Sequence, residues 1–433
     1  MTPKAAQRAL NGREASAAPS GRVLHSRDEA EAYVASVCFK HGPPRLIGVE
    51  LEWLLARRSD PPSPLDVHTL VTALGPHTPT SLDPFSPALP LPRGSLVTVE
   101  PGGQVEIASI PFDSTESLVD AVRSDSATLL RLLADQGLHP LSSASDPVRP
   151  AHRLLTVPRY LAMEAAFDRL GAEGRGMMCS TAAVQPSLDL GERVDLPLRW
   201  SALHLLGPVL VAAFANSPLL QGRRSGWKSS RMACWLGIDP PRTAPPDPAA
   251  TDPAAAYATR AMNADVICVR RPTGSWESPP GVTFADWLAG GLPGRPTTDD
   301  LDLHLSTLFP PVRPHGRHAE IRYVDAQPGE EWVVPVVVLA ALLSDTATTA
   351  ATVEACLPVA GRWTAGARDG LADPELARAA RTVFTLALGA LPRVIGPGLV
   401  QDLVQRATEE RVLRGLSPAD LQPTDTAAQK GIS

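Results

Sequence analysis

Five glutamates in this chain fall where side chains alternate. In Leu46-Ile-Gly-Val-Glu-Leu-Glu-Trp53, apolar and acidic residues take turns at the period of a strand, so Glu50 and Glu52 leave one face while Val49 and Leu51 leave the other. In Ser95 to Ser109, two strand-like runs flank Pro101-Gly102-Gly103. A three-residue connection there sets Glu100 across from Gln104 and Thr98 across from Glu106, all on one face; a two-residue turn would split Glu100 from Glu106. His318 to Asp325 alternates again, with Glu320 and Arg322 facing one way. Such carboxylates, without His or Cys at metal-ligand spacing, are hard oxygen donors that select magnesium or manganese over zinc. Two of them about 4 Å apart repel by about 4 kcal/mol at an effective dielectric of about 20, so a divalent cation is the natural counter-charge. Arg231, Arg242 and Arg322 would add docking points for an anionic substrate. The chemistry this set points to is phosphoryl transfer, driven by positioning and charge neutralisation.

Each residue also has a plainer reading. Glu-x-Glu on a strand is commonly a solvated face, an arginine an ion-pair partner, Trp235 a core aromatic, and Asn216, just before Ser217-Pro218, a helix C-cap. Rival motifs are absent: no Gly-x-x-x-x-Gly-Lys-Ser/Thr, no Gly-x-Gly-x-x-Gly opening a helix, no Gly-x-Ser-x-Gly. His152, His204 and His304 have no spaced partner and read as structural; Cys179 reads as a small core residue.

The elements that must position these side chains follow from length and pattern. At 433 residues, 44% hydrophobic and 20% charged, the chain has the material for a large core. A net charge of −6 offers no basic face for nucleic acid. The five cysteines are scattered without a Cys-x-x-Cys pair, which fits a reducing cytoplasm, and the apolar runs Ala202 to Ala215 and Val333 to Leu343 are too short or too broken to span a membrane. Residues 1–25 read as a disordered tail, 26–416 as one catalytic domain with acidic strands over 46–325 and a helical part over 330–416, and 417–433 as a polar tail. Within the domain, Ser26 caps a helix through Cys38, Thr115 to Gly137, Pro158 to Leu170 and Leu198 to Asn216 are helices, and Met178 to Asp189 is a strand. Pro186 places an edge or a bulge in that strand.

The ordered set Gly48-Val-Glu-Leu-Glu52, Glu100-Pro-Gly-Gly-Gln-Val-Glu106, Val184-Gln-Pro-Ser-Leu-Asp189, Phe214-Ala-Asn-Ser-Pro218, Ser230-Arg231 with Trp235, and His304-Leu-Ser-Thr-Leu-Phe-Pro310 with Glu320-Ile-Arg322 resembles glutamate-cysteine ligase of the plant and bacterial type. Within that type it is most similar to the actinobacterial enzyme of ergothioneine synthesis. The resemblance implies an α+β, glutamine-synthetase-like fold: a curved, mainly antiparallel sheet forming a half-barrel, with helices on its outer face. It implies that Glu50, Glu52, Glu100, Glu106 and Glu320 hold two or three magnesium ions, manganese being an option, against ATP as co-substrate. It further implies that Arg231 and Trp235 line the glutamate pocket, with Thr181, Gln185 and Asn216 among the substrate contacts. Gln104, Arg242 and Arg322 would meet the nucleotide, the two arginines acting in catalysis. The activity implied is ATP-dependent joining of L-glutamate to L-cysteine through a γ-glutamyl phosphate, by a cytoplasmic monomer or dimer. A ligase for another amine and a non-catalytic nucleotide-binding protein are the alternatives. The chain departs from the family where Val-Gln-Val-Asn-Leu-Asp gives way to Val184-Gln-Pro-Ser-Leu-Asp189, and where Ser180 stands in place of the plant arginine.

Overall fold

The computed structural model describes residues 21–422. The site is carried by one sheet of seven strands: β1 (Ile47–Trp53), β2 (Leu96–Val99), β3 (Val105–Ala108), β4 (Ala183–Asp189), β5 (Val312–His315), β6 (His318–Ile321) and β7 (Val324–Asp325). Its order is β2-β3-β1-β4-β6-β5, with β7 pairing β4 beyond the end of β6; every pairing is antiparallel and the sheet stays open at β2 and β5. This is the α+β architecture expected, helices covering the apolar face.

Alternation explains the layering. Val49, Leu51, Val97, Val99, Val105 and Ile107 are buried on the back of the sheet, each contributing about 1.5–3 kcal/mol by leaving water. Helices α1 (Arg27–Cys38), α2 (Thr115–Asp135), α3 (Glu173–Ser180), α4 (Leu196–Phe214), α5 (Ser230–Gly237) and α6 (Val333–Leu342) pack around it. The Ser26 hydroxyl accepts from Glu29 N and so caps α1, whose first turn carries Asp28 and Glu29, as the sequence predicts. Among the described residues one unbroken helix, α4, is long and apolar enough to cross a membrane, and 83% of that stretch is buried within the fold.

The connection after Glu100 has three residues. Glu100 N donates to Gln104 O at 2.8 Å, Gly103 N to Glu100 O at 2.9 Å, and Thr98 faces Glu106, the register that puts both acids on one side. Pro186 lies in a central strand and not at an edge, opposite Val49 of β1. Its other neighbour carries the irregularity. Glu320 faces Ser187 and Val324 faces Val184, so three residues, Ile321 to Tyr323, span the interval that Gln185 and Pro186 span on β4. The bulge sits where proline has no N–H to give.

Three expectations need correction. Met178 to Ser180 close α3, and the strand begins at Ala183. The expected 1–25 tail ends in fixed structure: Val23 bridges Thr297 and Leu24 is fully buried, while residues 1–20 lie outside the described residues. Of the polar tail expected from 417, Pro418–Leu421 form a short helix with Ala419 buried, and residues 423–433 lie outside the described residues.

Gly102 binds the acidic turn to α3. A Cβ there would stand 2.3 Å from the carbonyl oxygen of Cys179 and 2.6 Å from its Cα. Gly102→Ala is therefore expected to destabilise the chain by about 1–3 kcal/mol, since backbone must move to admit the methyl group. Chemical unfolding measures this; a variant as stable as the parent would show that the turn does not pack as described.

Candidate active site

Residues opposite one another in an antiparallel pair point to the same side, so the register reads out the concave face directly. One row runs Thr98, Glu106, Glu52; the next holds Glu50 opposite Gln185; a third runs Ser187, Glu320, Arg313; and a fourth runs Asp189, His318, His315. Glu100 stands two residues beyond Thr98 at the β2–β3 turn. All five glutamates of the sequence reading thus belong to one surface, brought there from three separate stretches of chain.

Their charges are not compensated equally. Burial, then the nearby Glu320 carboxylate, pushes Glu50 up to about 7, and burial, then Glu100, pushes Glu52 up to about 8. Glu106 rises well above the usual carboxylate range through burial and the repulsion of Glu50, Glu100 and Glu52, and Glu100 rises chiefly through burial. Glu320 is the exception: burial would raise it, but Arg313 and Arg322 hold it at about 2. Arg322 Nη1 donates to Glu320 Oε1 at 2.6 Å, and Arg313 donates to Oε2 through Nη2 at 2.5 Å and Nε at 3.1 Å.

The other acids hold protein donors. Glu52 accepts from Gln185 Nε2 at 2.6 Å and from Ala183 N at 2.9 Å; Glu106 accepts from Thr98 Oγ1 at 2.5 Å. Among the described residues no group of three or more His, Cys, Asp or Glu side chains is poised to hold a metal ion. In the present rotamers the five acids form a charged wall and not a closed cage. The donor chemistry nonetheless fits a hard divalent cation: the oxygens are of the right kind, and four carboxylates lack the positive charge that Glu320 already has.

Beside the acids lies a cationic group. Ser229 caps α5 by accepting from Met232 N, which fixes Arg231 and Trp235 on its first turns. The guanidinium carbons of Arg231 and Arg322 lie 5.0 and 5.3 Å from the Trp235 ring centroid, and Arg322 also lies 5.8 Å from that of Phe309. Arg231 Nη2 donates to Arg322 O at 2.7 Å, while the buried Nε atoms of both arginines have no partner. Behind them, Asp325 accepts from Asn216 N, Ser217 Oγ and Ser229 Oγ and lies 3.9 Å from Arg231. Burial lowers the Arg231 guanidinium, against Asp325 and Glu52.

Four expected site residues turn out to be framework. Arg242 is completely buried and donates to Thr307 O and Oγ1, Asp265 O and Asp239. The Gln104 amide accepts from Gly102 N and donates to Met178 O and Thr181 O, tying the acidic turn to the end of α3. Thr181 Oγ1 donates to Met177 O, and the Asn216 amide bonds Ser142 O, Ala326 O and Gln422 Nε2. Their polar capacity is spent inside the protein. Gln185, Arg231, Trp235 and Arg322 remain at the acids. Sequence reasoning missed Arg313, the Asp325 anchor and Arg159, whose charge lowers Glu100 against burial. Arg313 was findable: His315-Gly316-Arg317-His318 is a two-residue hairpin turn, which places Arg313 across from Glu320.

Comparison with known proteins adds the following. Residues 46–422 match the family model described as Glutamate-cysteine ligase family 2 (GCS2). The chain is 37% identical over 417 residues to the glutamate–cysteine ligase EgtA of Mycobacterium tuberculosis, covering 93% of this chain and 91% of that one. It is 36% identical to the EgtA of Mycolicibacterium smegmatis, covering 94% and 93%. The chloroplastic glutamate–cysteine ligase of Brassica juncea is 30% identical over 54% of this chain and 46% of its own. The crystal structure of a glutamate–cysteine ligase from Francisella tularensis in complex with AMP superposes with a TM-score of 0.51 at 14% identity, covering 88% of this chain and 84% of that one, a likeness of fold.

Two consequences can be measured. Because folding raises Glu50 and Glu52 from 4.5 to about 7 and about 8, the folded chain keeps protons that the unfolded chain has released. Stability is then greatest below about pH 4.5 as far as these groups are concerned, and falls as pH climbs through about 7 to 8. In metal-free buffer the thermal midpoint is expected to drop between pH 5 and 8, and Glu50→Gln is expected to flatten that slope; an unchanged slope would show that Glu50 is not squeezed by its neighbours. Arg242→Gln is expected to cost about 3–5 kcal/mol, as for a broken buried polar network, while ligand affinity of the folded fraction stays at the parent's value in titrations.

Proposed function

From the premise that the chain belongs to glutamate-cysteine ligase family 2, we propose that it joins L-glutamate to L-cysteine at the expense of ATP, through a γ-glutamyl phosphate. The observation that carries this reading is the pairing of two opposite charge sets on one concave face: four glutamates in excess of counter-charge, and the Arg231–Trp235–Arg322 group beside them. A nucleotide with a divalent cation and an amino-acid carboxylate need both.

In the first step an oxygen of the glutamate γ-carboxylate attacks the terminal phosphorus of ATP; the new O–P bond forms as the bond to ADP breaks. Arg231 and Arg322, whose buried Nε–H groups have no protein partner, hold substrate carboxylate or phosphate oxygens, and Trp235 packs against both guanidinium groups. In the second step the cysteine amine attacks the acyl carbon, the C–N bond forms, inorganic phosphate leaves and the amine gives up its proton. Glu50, Glu52, Glu100 and Glu106 are the residues that would hold magnesium, with Glu320 beside them in its pairing with Arg313 and Arg322. Magnesium, when bound, neutralises the charge that develops on the phosphate oxygens. Gln185 keeps Glu52 turned toward the trough.

The same reading puts the product, γ-glutamylcysteine, into ergothioneine synthesis and the enzyme in the cytoplasm, where free cysteines such as the five buried here persist.

Incubation with ATP, magnesium and glutamate, with and without cysteine, tests the reading by phosphate release and chromatography of the product. Cysteine is expected to be required for steady turnover and to saturate at lower concentration than other amino acids; phosphate release indifferent to the acceptor would overturn the assignment. Glu50→Gln, folded and relieved of repulsion at pH 8, is expected to lose turnover by about 10²–10³-fold, the scale of one electrostatic group removed from a transition state.

A further inference from the structure

The two arginines that neutralise Glu320 are not equivalent. Arg322 belongs to the bulge: its N–H donates to Pro311 O, and its guanidinium lies over Trp235 and Phe309. Arg313 stands on β5, the open edge of the sheet, with its side chain about a quarter exposed, and its fork bonds to Glu320 alone among the described residues. One cation is packed on two aromatic rings as well as paired, and the other hydrogen-bonds only the carboxylate it faces.

Two exposed cations, Lys40 and Arg317, lie near Arg313 on the solvent side, whereas burial lowers the neighbouring His315 to about 4 and also lowers His318, so neither ring adds positive charge at neutral pH. The β5–β6 turn brings the His315 and His318 rings to 5.4 Å, with Gly316 at a φ of +62°. Gly316 O accepts from Lys40 N, which sets the exposed Lys40 beside the turn, and the exposed Arg317 lies across Gly42. Neither Lys40 nor Arg317 has an acidic partner within 4 Å among the described residues. The acidic face therefore ends, at this edge, in a positive border whose innermost member is Arg313. A triphosphate that must come to rest against glutamates is repelled by most of the face and attracted here.

We propose that Arg313 is a phosphate-binding residue that exchanges Glu320 for a phosphate oxygen of the nucleotide as the site fills, leaving Glu320 free to meet the incoming cation. The proposal rests on the ATP-dependent reading above. It breaks no covalent bond: a guanidinium fork bound to one anion transfers to another of matching geometry, and each charge ends with a partner.

The full-length chain is tested by calorimetric titration with ADP in magnesium, alongside KM for ATP and for glutamate. Arg313→Gln is expected to weaken ADP binding about ten-fold or more, the scale of one charge-assisted contact. KM for ATP should rise in step, and KM for glutamate should stay within about two-fold. Arg313→Lys, which keeps the charge and loses the fork, is expected to fall between. If Arg313 served only to neutralise Glu320, its removal would cost nothing once that carboxylate is gone. The deciding comparison is therefore Glu320→Gln against Glu320→Gln/Arg313→Gln: the double variant is expected to bind ADP several-fold more weakly, and equal affinity would overturn the proposal. Should Arg313→Gln fail to fold, parent-like ADP affinity in Arg313→Lys would overturn it equally. Failure of the unmodified chain to bind ADP would instead sink the ligase reading beneath it.

Discussion

Repulsion among carboxylates that share one side of a sheet is the constraint to which the rest of this structure answers. Glu50, Glu52 and Glu106 neighbour one another by register, so no rotamer change can separate them far. What the fold supplies is rigidity. The backbone ladder on both sides of β1 and the apolar packing of Val49, Leu51 and Ile107 against helices keep the acids in place although their charges oppose it. Helix or loop would yield more readily, since neither is cross-linked to two neighbours at every second residue.

Relief comes from small local devices. Thr98 and Gln185 each give a proton donor to one acid, and Arg313 with Arg322 cancels Glu320 outright. The bulge opposite Pro186 serves the same end. Inserting one residue between β6 and β7 lets the Arg322 N–H turn to Pro311 while its side chain spans Glu320 and Trp235. A regular ladder would have required an N–H where proline has none, and would have lacked the slack that aims Arg322.

Much of this was legible in the chain. Alternation alone assigned Glu50 and Glu52 to one face, while Pro101-Gly-Gly left two turn lengths open, and the structure has the odd one that brings Glu100 and Glu106 together. What alternation cannot show is how a polar side chain spends its hydrogen bonds. Gln104, Asn216 and Arg242 have the residue types of ligands, yet each bonds carbonyls from segments distant in sequence, which no local pattern announces, and the Thr181 hydroxyl turns back to Met177 O at the end of its helix. Arg313 shows the converse: an arginine in a proline-flanked stretch looks incidental until the hairpin register sets it against Glu320. Helix α3 was misread because Met178-Cys-Ser-Thr alternates as a strand would, while packing of the preceding glycines against Phe167 and Cys234 favours a helix.

Carboxylates crowded on one buried face hold their protons to higher pH than exposed ones do. Burial and mutual repulsion favour the protonated form of Glu50 and Glu52, and a carboxylate has to lose its proton before it can serve as a metal ligand. Gln185 and Arg313 each hydrogen-bond a single glutamate among the described residues, whereas Arg322 is also packed on Trp235 and Phe309 and Arg242 is tied to Asp239, Asp265 and Thr307. That difference separates side chains held by a single contact from side chains built into the frame.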